Sequence, residues 1–168
     1  MPPLPLTKPA DQLQHLAVEF ETLHARVRDV SYTPGSDAWR QITPLLLISH
    51  DLTATALVGL RALDNSPGTT IIASPSGREL MVSVAFFAAR AGTDLAHALL
   101  ANPAEDAPHP VSPADEPSVR TAVLAEAIAK MTDHLADAVH HLDLSATGCH
   151  RVAAAVRDAT ATGQPAPS

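Results

Sequence analysis

Apolar residues recur along this chain at alternating steps of three and four, a spacing that only an α-helix turns into one continuous face. Leu13, Leu16, Phe20, Leu23, Val27 and Val30 form the first such seam. Met81, Val84, Ala88, Ala91, Leu95 and Ala98 form another, and Leu124, Ile128, Met131, Leu135, Ala138 and Leu142 a third. A strand would need alternation by two. The stretch between the first two seams is broader. Leu45, Ile48, Leu52, Ala56, Leu60 and Leu63 are joined there by Leu46, Leu47, Leu57 and Val58, which predicts a central helix buried on more than one side. The expected fold is all-α: four long helices in an antiparallel-type bundle plus a shorter C-terminal helix.

Start signals of the kind that satisfy the free amides of a first turn stand before each seam. Lys8 precedes Pro9. Thr43 before Pro44 reads as an N-cap with proline at the first helical position, leaving 36–41 as a separate short turn. Ser76 with Glu79 reads as a capping box, and Ser112 or Glu116, each followed by proline, opens the fourth helix. Ser145 or Thr147 is expected to open a fifth, running to about residue 160. Residues 8–162 are read as one domain with a proline-rich internal loop at 102–117, between disordered or extended tails at 1–7 and 163–168. The stretch 69–73 has local β character too short for a sheet.

Of 168 residues, 46% are apolar and only 3% aromatic, so the core must be built from aliphatic side chains and alanine. Trp39, Tyr32, Phe20, Phe86 and Phe87 are the expected large anchors, with Phe86 and Phe87 packing on different sides of one helix. A single cysteine excludes an intrachain disulfide, and the expected home is the cytoplasm. Cys149 is expected to be a small buried apolar residue, because neighbouring His150 diverges from it by about 100° on a helix. Residues 1–9 carry several prolines and no long apolar run, which does not read as a secretory signal. The apolar window 42–60 carries His50 and Asp51 at its middle, so a soluble helix is expected rather than a membrane span. A net charge of −7, two lysines and scattered arginines argue against a nucleic-acid partner. Richness in alanine and proline suggests a bacterial, high-GC coding sequence.

Nine histidines are the chemistry-bearing feature. Glu21 with His24, Asp94 with His97 and Asp137 with His140 have the carboxylate-before-imidazole spacing that metal-binding bundles use. Heptad assignment places Glu21 at b and His24 at e, Asp94 at g and His97 at c, and Asp137 at c and His140 at f, so all three pairs are expected on solvated faces. Two arrangements remain as metal candidates. His134, Asp137 and His141, close to Asp133 and His140, share one edge of the fourth helix and could form a surface zinc or nickel site. His50, beside Asp51 at the margin of the central helix, is expected to be neutral and to donate to a backbone carbonyl. No residue is assigned a catalytic role, since no serine sits in a nucleophile elbow and the isolated Gly68, Gly77 and Gly92 make no phosphate loop. Gly92 is expected to mark a close helix approach.

The expected function is that of a non-enzymatic bundle acting through protein contacts, probing no nucleic acid or membrane, without a cofactor, and self-associating as a homo-oligomer through its first and fifth helices. The alternative is a metal- or small-ligand-binding bundle with a His/Asp site, divalent transition metal included, and with enzymatic capacity. A third reading is the ligand-sensing or dimerisation module of a regulator.

Overall fold

Pro9 ends the extended backbone at Lys8 and opens α1 (Pro9–Arg28) in the computed structural model, which describes residues 8–64, 75–103 and 117–163. Then follow α2 (Ser36–Asp64), α3 (Pro75–Ala101) and α4 (Pro117–Thr162), with no strand among the described residues, so the chain is all-α. The seam of α1 is buried as its periodicity requires, through Leu13, Leu16, Ala17, Phe20, Leu23 and Val27. After Asp29 the chain turns through Gly35, whose φ of 106° lies in the left-handed region that glycine alone enters freely. Asn102, just past α3, holds that turn from both sides. Its Oδ1 accepts the Gly35 N–H at 2.7 Å and its Nδ2 donates to the Gly35 carbonyl at 2.8 Å.

The helix α2 begins at Ser36, not at Pro44, which lies inside it. Local bonds explain the early start. The Ala38 and Trp39 amides reach back to the carbonyls of Thr33 and Gly35, and Asp37 Oδ2 accepts the Thr33 N–H at 2.8 Å. Pro44 then deprives only the carbonyl of Arg40 of its donor, and Arg40 is exposed, where water serves instead. Nor is α2 central. Its buried residues are Ala38, Ile42, Leu45, Ser49, Leu52 and Ala56, a narrow three-four stripe, while Leu47, Leu57 and Val58 are exposed. By length and composition Ser36–Ala62 is the one segment among the described residues that could cross a membrane, but its buried stripe packs on α1 and α3.

The helices form a ring in which α1 packs on α2, α2 on α3, α3 on α4 and α4 back on α1. Neighbours run antiparallel, since Asp11 meets Arg157 and Glu21 meets His150 across α1 and α4. No separate fifth helix opens at Ser145 or Thr147, because α4 is continuous over 46 residues. Ser145 is buried inside it and donates from Oγ to the His141 carbonyl at 2.9 Å, satisfying itself within the helix instead of capping a new one.

At 1.5 Å per residue α4 is about 69 Å long against about 40 Å for α3. Its partners therefore end first. His97 of α3 already lies against His134, and α3 stops at Ala101. Residues 118–130 of α4 are exposed, apart from half-buried Ala127, and Val119, Val123, Leu124 and Ile128 keep 39–60% of their surface. The seam Leu124, Ile128, Met131, Leu135 thus leaves the core between Ile128 and Met131.

One core cluster runs from Leu16 to Cys149 through all four helices, and a smaller one joins Ala10, Leu13, Met81, Val152, Ala153 and Val156. Two of the five expected aromatic anchors are exposed. Phe20 is fully buried, but Trp39 and Phe86 are 51% and 57% exposed, so Phe86 does not pack into the bundle beside Phe87 as expected. The expectations for the tails 1–7 and 164–168, the Ser76 side chain, the 69–73 stretch, Ser112 and Glu116 lie outside the described residues.

Candidate functional site

Small residues bring α3 and α4 close enough for polar side chains on their flanks to meet. Ala88, Ala91 and Ala98 of α3 and Ala138 of α4 are buried, and a Cβ on Gly148 would stand 2.6 Å from Val84 Cγ2. Asp94 is drawn inside by this approach. Its side chain is 5% exposed, and Oδ2 lies 2.6 Å from His141 Nδ1. A carboxylate in such a place needs a donor, and the Nδ1–H of His141 supplies it, which leaves Nε2 as the free nitrogen of the ring. Phe87 stacks on the His141 ring at 5.9 Å and 16°, while Phe86 meets Phe87 edge-on at 5.4 Å. The His140 ring centre is 5.6 Å from that of His141.

One turn further along α3, the rings of His97 and His134 lie 5.2 Å apart, tilted by 53°. Between α1 and α4, His150 Nε2 stands 2.6 Å from Glu21 Oε1, with Gln14 Oε1 3.3 Å from Nδ1. The heptad placement of Asp94 on a solvated flank is therefore wrong. Two of the three carboxylates read as pairing along their own helix, Glu21 and Asp94, bind histidines of α4 instead. The sign is present in the sequence: a g position borders the interface, so a carboxylate there can reach a facing helix as well as its own. Asp137 and His140 are both exposed.

The metal candidates are distributed as follows. His141 is held by Asp94, His134 faces His97 and Asp137 is exposed, so the expected edge of His134, Asp137 and His141 is divided between different neighbours. Among the described residues no three of His, Cys, Asp or Glu come together as a metal-binding group. His50 is exposed rather than set at a buried margin, and its ring lies over Gly92, where a Cβ would be 3.6 Å from Cε1. Its neighbour Ser49 is buried, with no hydrogen-bond partner for Oγ. Gly92 does mark a close approach, since a Cβ there would stand 3.4 Å from Ser49 Oγ.

Cys149 is fully buried, and burial pushes its thiol up to about 12, which removes the thiolate that a nucleophile needs. At the corner of α1 and α4 an open cavity of about 390 Å³ is lined by Val27, Val30, Tyr32, Thr132, Leu135 and Val139 among others. Burial there raises the Tyr32 phenol, offset in part by its hydrogen bond with Thr132. The chain matches no protein-family model, and comparison with curated proteins and with solved structures finds no relative.

Proposed function

We propose that the protein acts through protein contacts, without catalysing a reaction, and self-associates through the exposed apolar side chains in the first turns of α4. The observation that carries this reading is that the buried stripe of α4 continues through exposed Leu124 and Ile128, with Val119 and Val123 exposed on other sides of the same turns, on a helix that outruns both of its partners. A second copy is the occupant best matched to it. Leu124 and Ile128 continue in period the stripe that α4 buries against its own neighbours, and Ala125 borders them with a small exposed side chain that permits close helix approach. Charge favours this face as well. Residues 118–130 carry Arg120, Glu126 and Lys130, with Glu126 and Lys130 paired at 3.0 Å, whereas the whole chain is at −7. Two copies meeting here avoid most of their mutual repulsion.

The apolar faces of α1 and of the last turns of α4 are less suited, because Leu13, Val152 and Val156 already cover one another. Completing the burial of half-exposed Leu124 and Ile128 on each of two copies yields about 4 kcal/mol, at about 1 kcal/mol each, with further gain from contacts along their rim. Association entropy opposes this with at least about 4 kcal/mol, so the dimer is weak and reversible. The lone buried cysteine and the absence of a lysine-rich stripe support a cytoplasmic protein with protein partners rather than nucleic acid or membrane. Sedimentation velocity over a range of concentrations tests the proposal. The parent chain shifts toward the dimer as concentration rises, and Leu124→Glu/Ile128→Glu stays monomeric with an unchanged helical spectrum. A parent chain that sediments as a monomer throughout refutes it.

A further inference from the structure

We propose that His97 and His134 form a two-histidine chelate for a divalent transition-metal ion, clamping α3 to α4. The two imidazoles come from different helices, and their ring centres are 5.2 Å apart with a 53° tilt. Nitrogen ligands at about 2.1 Å from a tetrahedral zinc ion put each ring centre about 3.2 Å from the metal and the two centres about 5.2 Å from each other. The observed separation is the one such a chelate requires.

The frame that holds the rings is anchored beside them. One turn before His97 on the same helix, Asp94 is buried and bonded to His141 of α4 at 2.6 Å, which sets the register of the two helices beside the chelate. His97 is exposed and His134 half-buried, so an ion reaches both from solvent. Asp133 and Asp137, both exposed, lie within one turn of His134 on α4 and add negative charge around the entering cation. Imidazole selects zinc, nickel or copper over magnesium or calcium. With two protein nitrogens the ion keeps water in its remaining positions, so the site is open and of modest affinity. His141 stands apart from this pair, since among the described residues no three of His, Cys, Asp or Glu come together as a metal-binding group.

The test is calorimetric titration of the untagged full-length chain with Zn²⁺, comparing the parent with His97→Asn, His134→Asn and, as a control, His15→Asn on exposed α1 surface. One equivalent binds to the parent and to the control, and each chelate variant weakens binding by more than about tenfold. Zn²⁺ also raises the melting temperature of the parent but not of the two variants, because the ion binds the native helix pair. Unchanged affinity in His97→Asn, or no binding by the parent, overturns the proposal. If His134→Asn folds poorly, the exposed His97 decides the matter alone. The chelate does not depend on self-association, so Leu124→Glu/Ile128→Glu binds the ion as the parent does.

Discussion

Gly148 sits where α4 packs tightly on α3, and a methyl group there would stand 2.6 Å from a γ-carbon of Val84. A β-branched side chain has little freedom to withdraw. Gly148→Ala therefore costs about 1–3 kcal/mol of strain against about 1 kcal/mol gained in helix propensity, and urea unfolding should show a net loss of stability. Gly59→Ala, with nothing within 4 Å of the added carbon, should gain about 0.5–1 kcal/mol in the same assay. The sequence singled out Gly92 and passed over Gly148. A glycine in a helical pattern announces a missing side chain, but which neighbour comes near it is decided by helices distant in sequence. The same limit hid the pairing of Asp94 with His141. His141→Leu leaves a buried carboxylate without its donor and should cost about 3 kcal/mol, whereas the double change Asp94→Leu/His141→Leu should restore most of that loss. A double-mutant cycle measures the coupling. If the single and double variants are equally unstable, the pair does not act as a unit.

At the level of helices, three-four periodicity located every element, and its failures have a common cause. Serine, threonine and proline read as boundary marks in the sequence, yet in this chain they are accommodated inside helices. Ser145 bonds to the His141 carbonyl four residues back, and Thr22, Thr53, Ser83, Thr93 and Thr132 do the same at 2.8–3.0 Å. A hydroxyl satisfied in this way leaves no mark in the sequence that distinguishes it from a cap. Ser49 misled in the other direction, because its polarity concealed that it belongs to the buried stripe of α2, which shifted the seam by one residue to Ile48. Pro44 is the costliest of these interior residues. Pro44→Ala restores a donor to the Arg40 carbonyl and should stabilise the fold by about 1–3 kcal/mol, read as a higher melting temperature. A melting temperature that does not rise would mean that the ring contributes packing worth as much as the lost bond.

For the molecule as a whole, the decisive fact is a mismatch of lengths. Helices α1 and α3 cover only the later part of α4, and its first turns extend beyond them as an amphipathic arm joined to a well-packed base. Such an arm escapes the nucleation cost that makes short isolated helices unstable, but its amides remain open to solvent exchange unless something packs on it. Its apolar residues were legible in the sequence; their exposure was not, since periodicity reports a face and not what covers it. The most direct test of self-association through this arm is amide hydrogen exchange over residues 118–130, compared between dilute and concentrated protein. Protection that rises with concentration in the parent and vanishes in Leu124→Glu/Ile128→Glu is the result expected if a second copy covers the arm. Equally fast exchange at every concentration in both proteins would contradict it.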